Sequence, residues 1–247
     1  PPPPPPPPPH FPYTTLFRSH TDFDPLRQHP QLDFQYVRVD EPIPAADLII
    51  LPGSKSVAAD LQTLRDHGWE SHLKQHLRYG GKVIGICGGF QMLGEWIHDP
   101  LELESGRGEV PGLGLLELQT ELREEKQLRN VAGYYGEESV PVSGYEIHMG
   151  ESRGRALLSP VFMIDGQPEG AVSGDGQIMG TYLHGVFESP EGCRALLKWA
   201  GLRGAARLDY AALRERGIDR LADAINDSLD GGQLEKLVPE LHGLTKK

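Results

Sequence analysis

Two short apolar runs, Asp47-Leu-Ile-Ile-Leu51 and Val83 to Ile86, are separated by about thirty residues of helical spacing, the size of a strand-helix-strand unit. This pairing limits the fold more than any other feature of the chain. Short apolar runs without alternation suit strands buried on both faces, as in parallel sheets. Parallel neighbours need a long crossover, and the intervening residues supply one. Pro52-Gly53-Ser54 breaks the first run. Ser56 to Leu64 and Trp69 to Leu77 then read as helices, punctuated by Gly68 and ended by Gly80-Gly81. Further strands are predicted at Phe34 to Val39, Leu113 to Leu118, Gly144 to Met149 and Ile178 to His184. Helices are predicted at Glu191 to Ala200, Asp209 to Leu229 and Gly232 to Leu241. Glu102 to Glu138, rich in glycine and charge, is expected to be mostly loop around its one strand. The fold class that follows is α/β.

Composition narrows the function classes. With 247 residues, 38% hydrophobic, the chain can build a large core. A formal charge of −11 without clustered Lys and Arg argues against a nucleic-acid partner. No apolar run approaches membrane-spanning length. Two cysteines far apart, Cys87 and Cys193, form neither a disulfide framework nor a metal motif, so free thiols and a reducing, cytoplasmic compartment are expected, with no metal site. Residues 1–19, opening with nine prolines, read as a leader foreign to the domain. The domain itself is expected over 20–230, with a helical tail at 231–247.

Cys87 ends the second apolar run, inside Gly-Ile-Cys-Gly-Gly (85 to 89). A nucleophile on a tight strand-to-helix turn is lifted out of the core, and small neighbours permit both the turn and a close substrate. The helix expected after it, Gly89 to Trp96, would lower the thiol pKa and offer N–H groups to an oxyanion. Cys193 instead recurs with Leu196, Leu197 and Ala200 at the spacing of a buried helix face, and reads as core.

A thiolate nucleophile requires a base. His184 lies at the end of an apolar strand just before Gly185, where it can reach over the sheet's carboxyl edge. His148 is the rival. Alternation places it with Glu146, opposite Tyr145, Ile147 and Met149.

Five segments occur in register: Leu-Pro-Gly-Ser-Lys (51 to 55), Gly-Ile-Cys-Gly-Gly-Phe-Gln-Met-Leu-Gly (85 to 94), Gly-Leu-Gly-Leu-Leu (112 to 116), Gly-Tyr-Glu-Ile-His-Met-Gly (144 to 150) and Tyr-Leu-His-Gly-Val-Phe (182 to 187). From about Thr21 to about Leu229 the chain resembles the glutamine amidotransferase domain of the cobyric acid synthases, a branch of the triad-type amidotransferases. The resemblance implies a flavodoxin-like, open and mostly parallel sheet with helices on both faces. It implies that Cys87 attacks glutamine, that His184 shuttles the proton, that Gly53 and Gly88 supply the oxyanion hole and that Gln91 lines the glutamine pocket. Ser54, Tyr145, Glu146, His148 and Glu188 are secondary candidates. Many relatives place a carboxylate two residues after the histidine, where this chain has Val186, which leaves Glu188 and Glu146 as candidates to orient His184.

Full-length synthases of this kind carry an ATP-binding domain, and the sequence has no Gly-x-x-x-x-Gly-Lys-Ser/Thr. The expected partners are therefore glutamine, a synthetase domain that holds ATP and Mg, and through it a corrinoid acceptor, with no cofactor in the chain itself. Competing readings are a sister domain of the cobyrinic acid a,c-diamide synthase or lipid II amidotransferase kind, and a catalytically silent docking module.

Overall fold

The computed structural model describes residues 20–104 and 108–228. The expected leader, the expected tail and the helix expected at Gly232 to Leu241 lie outside them. The chain divides into two units, Pro1–Leu208 and Asp209–Lys247.

In chain order the first unit holds a 3-10 turn His20–Phe23, α1 (Asp24–Arg27), β1 (Leu48–Leu51), α2 (Val57–Asp66), α3 (Trp69–Arg78), β2 (Lys82–Ile86), α4 (Gly88–Leu93), β3 (Trp96–His98) and β4 (Glu109–Pro111). There follow β5 (Leu118–Tyr135), β6 (Val140–Gly154), β7 (Phe162–Ile164), β8 (Gln167–Glu169), β9 (Ala171–Val172), β10 (Ile178–Thr181), β11 (Leu183–His184) and α5 (Pro190–Trp199). The second unit contributes α6 (Tyr210–Ser228), near whose start Asp209 accepts a hydrogen bond from the Ala212 N–H.

The two apolar runs pair as their composition requires. β1 lies parallel to β2 with Leu48 opposite Lys82, and β10 lies parallel to β2 on its other side with Ile178 opposite Val83. β9 closes this four-stranded sheet antiparallel to β10. It is the open, mostly parallel α/β sheet of the flavodoxin-like kind. Val83, Ile84 and Ile86 are buried in it against Leu61 of α2, Leu73 of α3 and Phe90 and Leu93 of α4. Because the three parallel strands run the same way, the chain leaves them on one edge at Pro52, Cys87 and Tyr182.

A second sheet of seven strands, ordered β11-β6-β5-β3-β4 with β7 and β8 appended to β5, is built on the long β5–β6 hairpin. This corrects the sequence reading of Glu102 to Glu138 as mostly loop. The strand expected at Leu113 to Leu118 begins at Leu118 and continues to Tyr135. Its pattern is hard to see because only a few positions, Leu118, Thr120, Leu122 and Val131, turn inward, while its charges lie on an open face. A register shift between Leu122 and Gln127 breaks the alternation further.

Phe34 to Val39 is not a strand. It is extended chain facing an apolar cleft of about 800 Å³, lined by Leu26, Phe34, Val37, Ile49 and Trp69, across which lies the outer edge of β1. Among the described residues no strand pairs with that edge. The helix after Cys87 ends at Leu93 rather than Trp96, because Gly94 is extended and Trp96 enters β3.

Candidate active site

The elbow is formed by close approach of backbones. Cys87 has φ 52° and ψ −109°, a conformation that costs a side-chain-bearing residue on the order of 1–3 kcal/mol. The glycines beside it answer to sterics. A methyl on Gly89 would come within 2.0 Å of the Leu51 carbonyl oxygen, and one on Gly88 within 2.7 Å of the Ser54 nitrogen. Glycine at these positions lets α4 sit directly on the end of β1. Gly88 and the Gly53-Ser54 turn are thereby brought side by side, as a shared oxyanion site requires.

Cys87 and His184 are both buried at this edge, although they belong to different sheets. His184 Nδ1 lies 2.6 Å from Oδ2 of Asp22. A carboxylate only accepts, so the imidazole donates from Nδ1 and directs Nε2 the other way. Asp22 is 1% exposed and stands in the 3-10 turn, 162 residues from the histidine. Its second oxygen accepts from the Tyr145 hydroxyl at 3.1 Å, and the Tyr145 ring stacks on the imidazole with centroids 5.0 Å apart and planes 11° apart. Tyr145 and His184 are direct cross-strand partners of β6 and β11.

His184 Nε2 is buried and makes no hydrogen bond. Burial by itself would lower the proton affinity of the ring. The hydrogen bond to Asp22, and after it the neighbouring Cys87 sulfur, more than reverse this and push the pKa up to about 9. The thiol's own hydrogen bond goes to the Ile147 carbonyl, 3.4 Å away on β6. Cys193 makes the contrast. It is buried on α5, and burial alone pushes its thiol up to about 12.

The secondary candidates separate. Glu146 is buried and held by Arg129 at 2.9 Å, on the far side of the pairing from Asp22. Glu188 lies in the turn after His184 and acts electrostatically on Tyr145. The hydrogen-bond partner of His184 is thus Asp22, and neither acid weighed from the sequence fills that place. His148 takes other partners. Its ring stacks on Tyr182 at 3.9 Å, its Nδ1 contacts the Gly150 carbonyl at 2.8 Å, and burial lowers its pKa. Gln91 is buried, donating to the Tyr182 hydroxyl at 3.4 Å, in a network that continues to Ser152 and Thr120. The Ser54 hydroxyl is engaged by Asp60 and the Ser56 N–H. Asp22 was missed because nothing periodic marks a single acid in a short turn. The signal that could have found it is its place in Thr-Asp-Phe-Asp-Pro-Leu (21 to 26), at the start of the stretch that carries the resemblance. Among the described residues no group of three His, Cys, Asp or Glu could hold a metal, and no helix is long and apolar enough to cross a membrane.

A thiol on a strained elbow, facing an imidazole that a buried carboxylate holds, has the parts needed for acyl transfer through a thioester. The fold and this edge define an α/β amidotransferase. The profile of the CobB/CobQ-like glutamine amidotransferase domain matches residues 10–192, and the chain belongs to that family. Among solved structures, the chain is similar to one described as a crystal structure of glutamine amidotransferase, with 20% identity over 63% of this chain and 80% of that one and a TM-score of 0.47. It is also similar to the structure of PurLQS from Thermotoga maritima, with 17% identity over 69% of this chain and 80% of that one and a TM-score of 0.45.

Proposed function

We propose that this chain is the glutamine-hydrolysing part of a cobyric acid synthase-type amidotransferase, with Cys87 as nucleophile, His184 as base and acid, and Asp22 as the residue that orients it. The observation that carries this reading is the Asp22–His184 contact of 2.6 Å beside a thiol at the elbow. Nε2 takes the thiol proton, and the sulfur forms a bond to the side-chain amide carbon of glutamine. The resulting oxyanion lies against the backbone N–H groups of Gly53 and Gly88, with Gln91 lining the pocket. The Asp22 contact favours the imidazolium so formed, which holds the proton until the departing nitrogen takes it and leaves as ammonia. Water, deprotonated by the same imidazole, then opens the thioester to glutamate and restores the thiol.

Delivery of ammonia to a carboxylate requires ATP and Mg, which a synthetase domain would hold, and that domain would bind the corrinoid acceptor, adenosylcobyrinic acid a,c-diamide. Family membership does not separate this acceptor from those of the diamide synthase or lipid II amidotransferase kind. The run Thr21 to Leu26, which contains Asp22, favours the cobyric acid branch. Two free buried thiols fit a reducing cytoplasm. One observation favours a site that idles without its acceptor: the resting thiol bonds to Ile147 rather than to Nε2.

The test is mass-spectrometric mapping after exposure to 6-diazo-5-oxo-norleucine, with glutamine as competitor. Glutamine-protected labelling of Cys87 and not Cys193 is expected. Labelling of neither, or of both without protection, would remove the glutaminase reading.

A further inference from the structure

We infer that Tyr145 is a positioning residue of this site, fixing both the carboxylate and the imidazole so that Nε2 of His184 faces Cys87; the inference rests on the glutaminase reading. Asp22 has two oxygens and both are used, Oδ2 by His184 at 2.6 Å and Oδ1 by the Tyr145 hydroxyl at 3.1 Å. A carboxylate held at one oxygen can rotate about its own axis, whereas one held at both cannot. The imidazole is restrained in the same way. Its Nδ1 is anchored on Asp22, and its face lies flat on the Tyr145 ring, 11° from parallel. Rotation that carried Nε2 away from the sulfur would have to break one of these contacts.

The backbone makes the arrangement possible. His184 and Tyr145 are opposite each other across β11 and β6, so the stack is set by strand register. Two residues further along β6, the Ile147 carbonyl accepts the thiol. One stretch of β6 therefore touches the nucleophile, the base and, through the phenol, the acid behind the base. None of these contacts requires Tyr145 to react, so its effect reaches the chemistry only through Asp22 and His184.

The phenol also shares the charge of Asp22. Without that donor the carboxylate offers more of its charge to Nδ1, and the imidazole holds its proton more tightly. The other titratable groups acting around His184 and Tyr145 are Cys87, His148 and Glu188. Tyr145→Phe keeps the ring and changes none of them.

The experiment follows the His184 imidazole by 15N NMR titration and glutamine hydrolysis by steady-state kinetics, in the parent, Tyr145→Phe, Asp22→Asn and the double variant. For Tyr145→Phe we expect a higher His184 midpoint and a kcat lower by roughly tenfold with little change in KM. In the Asp22→Asn background the same substitution should change neither quantity. A His184 midpoint that stays put in Tyr145→Phe, or an equal effect with and without Asp22, would overturn the inference and leave Tyr145 a packing residue. Were the phenylalanine variant not to fold, 19F NMR of the 3-fluorotyrosine-substituted parent replaces it. A tyrosine resonance that follows the His184 titration, and loses that response in Asp22→Asn, supports the inference, and the absence of any such resonance overturns it. The NMR readouts need no turnover, so a parent that fails to hydrolyse glutamine would count against the functional reading without deciding the role of Tyr145.

Discussion

Both cysteines of this protein are buried, at 7% exposure for Cys87 and 3% for Cys193, yet the two regions around them have little else in common. Cys193 lies in a regular helix, packed in the same core cluster as Leu196 and Leu197, and burial alone pushes its proton affinity up. Cys87 lies at positive φ on a turn that three glycines permit, beside an imidazole whose affinity has been raised. Reactivity here is decided by the neighbours that low exposure brings close, and exposure itself says little.

The sharpest way to break the comparison is to delete each thiol. We expect Cys87→Ala to lower glutamine hydrolysis by at least roughly 10⁴-fold while leaving the urea midpoint near that of the parent. Cys193→Ala should leave hydrolysis intact and cost about 1–2 kcal/mol in urea unfolding. If the two variants exchanged these phenotypes, the assignment of Cys87 would fall.

Next comes the acid behind the base. Asp22→Asn should lower kcat by about 10³–10⁴-fold, since an amide cannot support the imidazolium. Its signature is also thermodynamic. The folded pKa of His184, about 9, stands above its ordinary 6.5, so its contribution to stability is fully present below about 6.5 and is lost as pH rises through about 9. Chemical denaturation from pH 5 to 10 should therefore show a gap between parent and Asp22→Asn that is widest in the acid range and narrows above pH 9. A gap that does not vary with pH would show that Asp22 acts without His184.

The smallest effect on chemistry, though not on folding, concerns the elbow. Gly89→Ala places a methyl against the Leu51 carbonyl, which side-chain rearrangement cannot relieve, and should destabilise by about 1–3 kcal/mol. Glutamine-protected labelling of Cys87 should weaken with it. The corresponding change at Gly217 on α6, where an added methyl meets nothing within 4 Å, serves as the control.

What could be read from the sequence follows the same division. The parallel pair β1 and β2 was legible because Leu48 to Leu51 and Val83, Ile84 and Ile86 are apolar, and the turn at Cys87 because glycines crowd around it. His184 was legible from its place at a strand end. Asp22 was not, because its role depends on a contact spanning 162 residues that no local pattern encodes. The β5–β6 ribbon was hidden for a different reason: charged residues such as Glu121 and Arg123, paired along β5, and Arg129, paired with Glu146 of β6, dilute the alternation to a few inward apolar positions. Phe34 to Val39 has strand composition, but composition supplies no neighbour, and the segment stays extended without one.

Cys87 and His184 are carried by separate sheets, and the switch from one sheet to the other takes a single residue. Just as Gly170 alone joins β8 to β9, β10 ends at Thr181 and β11 begins at Leu183, so Tyr182 alone links them. At this link the Glu169 carboxylate accepts from the Thr181 hydroxyl and the Tyr182 N–H, both at 2.6 Å. Mechanically, the site is a joint between two plates with Glu169 as its pin. A tilt of the hairpin sheet against the parallel sheet would change the gap between sulfur and imidazole. We therefore expect a load placed on the β5–β6 ribbon to be felt at the gap between sulfur and imidazole, because the two groups are carried by different sheets.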